Sequence, residues 1–219
     1  NLSDIAAMGG TPTYAVVSLG LPKKFKIDHV KRIYQGINKL AKEFNVSIVG
    51  GDTVKSKELL INIALMGKVA KGKAVLRSGA KVGDQIFVTG PLGGSLKSRR
   101  HLTFTPRLRQ AQDLVKDFHP TAMIDISDGL AGDLGHILEE SGVGAVLESK
   151  KIPFHRNVDM KAALYDGEDF ELLFTLHPMK SRGCPYFLIG TITKDKNNLS
   201  LRDKNGKTFL LKAKGFTHF

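Results

Sequence analysis

The residues of this chain best suited to chemistry are aspartates at the ends of apolar segments. Asp125 lies within the apolar run 122–126, and a carboxylate buried in a strand is costly unless it is paired or bound to a metal ion. Ser127 and Asp128 follow at the expected junction between this strand and a helix, where either would serve as a helix cap. Capping explains Ser127 or Asp128 but not Asp125. We therefore consider Asp125 a candidate metal ligand.

Two further aspartates have both a local and a chemical interpretation. Asp52 follows Gly50 and Gly51, after a short strand that we predict to be buried at residues 46–49. Glycine and aspartate are common turn residues, but the same arrangement would deliver a carboxylate to a place where glycines let a phosphate approach. Asp4 lies near the start of a predicted helix, where an acidic side chain usually complements the helix dipole. Both interpretations remain open at both positions.

Three other motifs carry weaker signals. The segment 67–73 (GKVAKGK) begins like a nucleotide-binding P-loop, but Ala74 stands where that motif needs serine or threonine, and no helix pattern follows. The glycines of residues 90–94 could hold a phosphate on their backbone N–H groups. The adjacent carboxylates of Glu168 and Asp169 are typical of a solvated loop. None of the seven histidines is spaced with another as a pair of metal ligands.

Composition narrows the chemistry and the setting. The chain has 219 residues, 42% of them hydrophobic, and no apolar run approaches the roughly 18 residues of a membrane span. A single cysteine, Cys184, excludes a disulfide framework and a cysteine-based zinc site, so we expect a reducing, cytoplasmic setting. The net charge of +12 attracts anions, but the few aromatic residues do not alternate with basic ones, and we expect no nucleic acid partner. Hard oxygen ligands on a cationic protein favour Mg2+ and a nucleotide.

Hydrophobic patterning predicts an α+β chain of two subdomains. Apolar residues at steps of three and four define amphipathic helices at residues 26–44 and 129–140. The basic, glycine-containing connection 70–83 is the best candidate for a domain boundary, and we divide the chain into 1–75 and 76–219. The other predicted elements are strands 13–19, 46–49, 59–69, 85–89, 122–126, 145–147, 170–175 and 187–192, a helix 108–118, and a terminal hairpin of strands 199–202 and 208–211.

Six motifs, taken together, resemble those of thiamine-monophosphate kinases. They are NLSDIAAMG at 1–9, GGDT at 50–53, RSGAKVGD at 77–84, IDISDGL at 124–130, DGEDFELLFT at 166–175 and GFTHF at 215–219. That family belongs to a superfamily typified by aminoimidazole ribonucleotide synthetase. The resemblance implies a mostly antiparallel, dimer-forming sheet domain followed by a second α+β domain. It also implies ATP-dependent phosphorylation of thiamine monophosphate to thiamine diphosphate, by direct in-line transfer with several Mg2+ ions.

The resemblance implies roles for individual residues as well. By their places in the motifs, the metal ligands are Asp4, Asp52, Asp125 and Asp128, the ATP contacts are Gly51, Asp52, Arg77 and Ser127, and the substrate contacts are Glu168 and Phe216. No residue is assigned as a catalytic base, because a phosphate nucleophile is already anionic. Phe216 would pack on a ring of thiamine, or would serve only in core packing near the C-terminus. The resemblance further implies a homodimer.

The chain departs from the family pattern in three places. The upstream segment, with its Gly-Asp-Asp loop and a further strand, is absent from a sequence that begins at Asn1, so we expect a processed or truncated chain with an incomplete N-terminal domain. The loop usually written Gly-Gly-Glu-Asp reads DGED at 166–169, and the usual ending Gly-Phe-Asp-His-Phe reads GFTHF at 215–219. Two alternatives remain open: another ATP-using enzyme of the same superfamily, or a non-catalytic member that binds polyanions.

Overall fold

Two β-sheets and six α-helices make up residues 1–213, which this computed structural model describes. The strands of the first sheet are β1 (Thr11–Leu21), β2 (Ser47–Lys55) and β3 (Leu60–Lys68). β1 lies in the middle, parallel to β2 and antiparallel to β3. The first two helices are α1 (Leu2–Ala7), which precedes β1, and α2 (Ile27–Glu43), which connects β1 to β2. The long helix predicted from the apolar spacing is therefore confirmed.

The second sheet has seven strands. They are β4 (Gln85–Val88), β5 (Ala122–Asp125), β6 (Gly144–Glu148), β7 (Leu172–Leu176), β8 (Phe187–Thr193), β9 (Leu199–Arg202) and β10 (Thr208–Leu210). Their order is β10-β9-β6-β8-β4-β7-β5, and every neighbouring pair is antiparallel except β6 with β9. Mixed sheets combined with helices confirm the predicted α+β class.

Four helices of the described chain pack beside the second sheet, and one of them, α5, fixes the position of the turn that follows β5. They are α3 (Ser95–Ser98), α4 (Leu108–Asp113), which continues as one π-helical turn to Phe118, α5 (Leu130–Ser141) and α6 (Met160–Tyr165). The apolar face of α5 is buried, as its spacing predicted, through Leu130, Leu134, Ile137 and Leu138. Because β5 and α5 are both packed into the same core, the short turn between them has a defined position.

A second apolar cluster holds α1 against the second sheet. Ala6 and Ala7 of α1 share this cluster with Met123 of β5. Phe87 and Phe174 stack within it, with ring centroids 5.5 Å apart. Packing therefore brings the N-terminal helix to the end of β5, although the two segments are more than a hundred residues apart in sequence.

β2 differs from the prediction in length and in burial. Residues 46–49 were predicted to form a short buried strand, but β2 extends from Ser47 to Lys55, and Val49 and Val54 are both more than half exposed. The prediction of burial is wrong because β2 is an edge strand, and within residues 1–213 its side chains are mostly uncovered. Asp52 consequently lies inside a strand rather than in a turn that follows one.

The connection between the two sheets has the expected irregular character. Residues 69–84 of the described chain contain neither a helix nor a strand. The division into 1–75 and 76–219 stays a prediction. None of the helices within residues 1–213 is both long enough and apolar enough to cross a membrane.

Replacing Gly51 with alanine is expected to lower the free energy of unfolding by about 1–3 kcal/mol. Gly51 has a φ of +152°, and a Cβ at this position would overlap the carbonyl oxygen of Val17 on β1. The matched control is Gly36→Ala in α2, where a Cβ would meet no atom within 4 Å, and alanine should raise stability by about 0.5–1 kcal/mol. Urea unfolding measures both effects. Equal stabilities of the two variants would contradict the close approach of β2 to β1.

Candidate active site

A cleft of about 450 Å³ brings three of the predicted site residues together. Asp4 of α1, Arg77 of the connection between the sheets and Asp125 at the end of β5 all line it. Glu140, near the C-terminal end of α5, lines the same cleft. The predictions for these three residues came from separate motifs, so their convergence on one cleft supports a common role.

The carboxylate of Asp125 is buried at the inner side of this cleft. Burial raises its pKa, and the nearby charge of Asp4 raises it further. The Ser3 hydroxyl donates a 2.6 Å hydrogen bond to Oδ2 of Asp125 and opposes this rise. A buried carboxylate beside a second one is unfavourable until a cation lies between or near them. The donor set consists of oxygen atoms, which is the set that a hard divalent cation prefers.

Arg77 supplies the positive charge of the cleft. Three hydrogen bonds of 3.2 Å to the Ser141 hydroxyl hold the backbone of this segment. The hydroxyl donates to the carbonyl of Arg77 and accepts from the N–H groups of Gly79 and Ala80. Within residues 1–213 the Arg77 guanidinium forms no salt bridge. The side chain is exposed to the cleft, and its guanidinium is therefore available to bind a phosphate group.

The turn after β5 is organised by Asp133, a residue that the sequence analysis missed. Oδ2 of Asp133 accepts hydrogen bonds from the N–H groups of both Ser127 and Asp128, each at 3.0 Å. Burial raises the pKa of Asp133 to about 7, and the charge of Asp128 adds to this rise. Possible ligand atoms of Asp128, Asp133 and the exposed His136 lie within 4.8 Å of one another. The spacing Asp-x4-Asp-x2-His across a helix start was the signal that could have drawn attention to this cluster.

The loop that carries Glu168 lies directly against the same turn. The N–H of Glu168 donates to the carbonyl of Ser127 at 2.7 Å, and the N–H of Phe170 donates to the carbonyl of Ile126 at 2.8 Å. A Cβ at Gly167 would overlap the Ser127 carbonyl oxygen, so only glycine fits this contact. The structure thus places the predicted substrate contact Glu168 beside the predicted ligand Asp128.

Two interpretations of nearby loops are wrong. Asp169 was expected in a solvated loop, but its side chain is only 2% exposed and accepts a 2.6 Å hydrogen bond from the N–H of Gly93. Burial is the main reason that its pKa rises to about 6. Asp166 accepts from the N–H of Gly94 at 3.0 Å. Since these N–H groups already have carboxylate partners, they do not form the phosphate cradle suggested for residues 90–94.

Among the predicted residues that the structure describes, only Asp4, Arg77 and Asp125 line this cleft. Ser127, Asp128 and Glu168 lie together at the turn after β5 and are not among its lining residues. Gly51 and Asp52 are exposed on β2 and are not among the residues that line the cleft. Oδ1 of Asp52 accepts a local 2.7 Å hydrogen bond from the N–H of Thr53. Phe216 lies outside the described residues. The roles of all the predicted site residues stay predictions.

The two sheets and the cleft between α1, β5 and α5 define an α+β protein of the AIR synthase-related class. Residues 1–69 match the family model of the AIR synthase related protein, N-terminal domain, and residues 81–201 match that of the C-terminal domain. All of the chain aligns with 78% of a thiamine-monophosphate kinase from Bacillus subtilis, at 32% identity. The chain therefore belongs to the thiamine-monophosphate kinase family, as its motifs predicted, and is a phosphotransferase.

Solved structures support the same assignment. The crystal structure of thiamine monophosphate kinase from Aquifex aeolicus has a TM-score of 0.84 and 30% identity, covering 95% of this chain and 78% of that one. A structure of AaThiL complexed with AMPPCP and TMP has a TM-score of 0.83 and 30% identity, covering 100% of this chain and 77% of that one. The chain thus aligns with about three quarters of the length of these relatives.

Proposed function

We propose that this protein transfers the γ-phosphoryl group of ATP to thiamine monophosphate, producing ADP and thiamine diphosphate. The observation that carries the proposal is the cleft in which Asp4, Arg77 and Asp125 meet. The family of the chain supports the choice of reaction, and the relative complexed with AMPPCP and TMP supports the choice of substrates.

The residues of the cleft are arranged to offset repulsion between two anionic substrates. Phosphate groups at contact distance repel each other more strongly in a low-dielectric cleft than in water. Arg77 donates to phosphate oxygens through its planar guanidinium. Asp4 and Asp125 hold Mg2+ together with Asp128, and we retain Asp52 as a further ligand because of its motif. When bound, Mg2+ neutralises phosphate charge and aligns the reacting groups.

The transfer we propose is direct and in line. A terminal phosphate oxygen of thiamine monophosphate forms a bond to the γ-phosphorus, the bond from that phosphorus to the β,γ-bridging oxygen breaks, and ADP leaves. The nucleophile is already an anion, so no side chain has to remove a proton from it. Ser127 and Gly51 contact ATP, whereas Glu168 and Phe216 contact the thiamine substrate. Glu168 lies beside the Ser127–Asp128 turn, which supports adjacent binding sites for ATP, the phosphoryl donor, and thiamine monophosphate, the phosphoryl acceptor.

A cytoplasmic homodimer completes the proposal. The first sheet exposes the apolar side chains of Val54 on β2 and of Leu60 and Met66 on β3, and the strand register places all three on one face. Exposed apolar patches on a sheet commonly form interfaces between subunits. We expect sedimentation equilibrium to give twice the mass of one chain. A monomer at concentrations well above those of the assay would contradict the homodimer.

A coupled assay of ADP release tests the proposed reaction. We expect turnover with Mg-ATP and thiamine monophosphate, and none when free thiamine replaces the monophosphate. No turnover by the folded protein would favour another ATP-using enzyme of this superfamily. A non-catalytic polyanion-binding protein would instead show binding that falls steeply with salt and does not depend on Mg2+.

A further inference from the structure

Two carboxylates join the loop that carries Glu168 to a glycine loop distant in sequence. Oδ2 of Asp169 accepts from the N–H of Gly93 at 2.6 Å, and Oδ2 of Asp166 accepts from the N–H of Gly94 at 3.0 Å. Glu168 lies between the two aspartates. We call this pair of hydrogen bonds the aspartate–glycine clamp.

The backbone around Asp169 needs such a restraint. Glu168 has a φ of 67° and Phe170 a φ of 53°, so two residues with side chains adopt the left-handed conformation on either side of Asp169. This conformation is less favourable than the right-handed one for any residue that carries a Cβ. Phe170 is held by a stacking contact with Phe104, at 4.1 Å between ring centroids. Glu168 is held in a similar way, by the hydrogen bond that the neighbouring Asp169 carboxylate accepts from Gly93.

The glycine loop at Gly93 is held in a position where it can donate to the Asp169 carboxylate. Nη2 of Arg100 donates to the carbonyl of Gly93 at 2.6 Å and also lies 3.5 Å from Oδ1 of Asp169. Gly93 has a φ of +82°, and a Cβ there would lie 2.8 Å from the backbone nitrogen of Ala163. Glycine is therefore required at this position for α6 and the loop to approach each other. The glycine loop serves as a rigid support for the Glu168 loop.

We propose that Asp169 is a positioning residue for the thiamine substrate. By bonding to Gly93, it keeps the peptide of Glu168 against the Ser127–Asp128 turn and so sets the affinity for the phosphate acceptor rather than for ATP. Asp169 itself does not contact either substrate. This inference rests on the proposed function, because that proposal places Glu168 on the acceptor side of the site.

Steady-state kinetics of Asp169→Ala test the inference. We expect KM for thiamine monophosphate to rise roughly 10- to 100-fold, the range for loss of one charge-assisted hydrogen bond, and KM for ATP to change less than about twofold. Asp169→Asn keeps an oxygen that accepts from Gly93 and should recover most of the lost affinity. If the alanine variant does not fold, Asp169→Asn still tests the inference: because a neutral oxygen accepts more weakly than a carboxylate, KM for thiamine monophosphate should rise roughly 2- to 5-fold while KM for ATP stays unchanged, and an unchanged KM for thiamine monophosphate would overturn the inference. Equal rises in both KM values would overturn the inference.

Asp159→Ala is the matched control. Oδ1 of Asp159 also accepts a backbone hydrogen bond, from the N–H of Ala162 at 2.7 Å, but it caps α6 and lies outside the clamp. Its loss should lower the midpoint of thermal unfolding by roughly 2–4 °C and leave both KM values near those of the wild type. A selective rise in KM for thiamine monophosphate in this control would show that general destabilisation produces the effect.

Hydrogen exchange separates the clamp from the proposed reaction. The Glu168 N–H is bonded to Ser127, and we expect it to exchange at least about tenfold faster in Asp169→Ala than in the wild type or in Asp159→Ala. Unchanged protection in Asp169→Ala would overturn the clamp whatever the activity. If the wild type did not phosphorylate thiamine monophosphate, the proposed function would fail, and the exchange rates would still decide whether Asp169 positions this loop.

Discussion

Asp125→Asn is expected to lower kcat for ADP release by about 10²–10³-fold or more, without loss of stability. The amide keeps the shape of the side chain and can still accept from the Ser3 hydroxyl, but it removes the charge that would hold Mg2+. Burial raises the pKa of Asp125, so ionisation at neutral pH is unfavourable for the folded state. The asparagine variant should therefore unfold at an equal or higher temperature than the wild type. A less active but more stable variant is typical of a residue retained for function.

Asp128→Asn is expected to lose turnover in the same way, and Asp28→Asn serves as the matched control. Asp28 lies in the first turn of α2 with an exposed side chain, away from the residues that line the cleft. Its amide variant should retain wild-type kinetics. Wild-type kcat in both Asp125→Asn and Asp128→Asn would show that these carboxylates are not metal ligands.

Arg107→Met is expected to lower the free energy of unfolding by about 3–5 kcal/mol. Arg107 binds both carboxylate oxygens of Glu171, with Nε donating to Oε2 at 2.9 Å and Nη2 donating to Oε1. The Glu171 side chain is only 7% exposed, and Oε2 accepts a further 2.5 Å hydrogen bond from the Thr89 hydroxyl. Removing the arginine leaves a buried charge with one neutral partner. Thermal and chemical unfolding measure the loss.

Arg202→Met is the control for this pair, and Glu171→Gln is its complement. Arg202 forms a 2.8 Å ion pair with Glu148, but the side chains are 47% and 28% exposed, so its loss should cost no more than about 1 kcal/mol. Adding Glu171→Gln to Arg107→Met should recover part of the stability, because the unpaired charge is removed. If the two methionine variants were equally stable, Arg107 and Glu171 would not form the strong buried pair that we describe.

The parts of the fold predicted from sequence are those with strong local patterns. The apolar periodicities of α2 and α5 predicted helices, and the run of apolar residues before Ser127 predicted β5. An aspartate inside such a run is conspicuous because a buried carboxylate is costly, and Asp125 was identified in this way. Local patterns were therefore sufficient where a single segment both forms a helix or strand and contains the unusual residue, as β5 contains Asp125.

The parts that were missed depend on contacts between distant segments. Asp169 bonds to Gly93, which is 76 residues away, and nothing near Asp169 in the sequence distinguishes it from a solvated acidic residue. Asp133 bonds to a turn that only the folded helix start creates. The exposure of β2 follows from its position at the edge of the sheet, which depends on strand order rather than on composition.

Transfer of label from ATP marked at its γ-phosphorus tests the central claim most directly. The protein is incubated with labelled ATP and either thiamine monophosphate or thiamine, in the presence of Mg2+ or of excess chelator, and the products are separated by chromatography. We predict labelled thiamine diphosphate with the monophosphate and Mg2+, and none in the other three mixtures. A folded protein that binds Mg-ATP but forms no labelled thiamine diphosphate would contradict the proposed function.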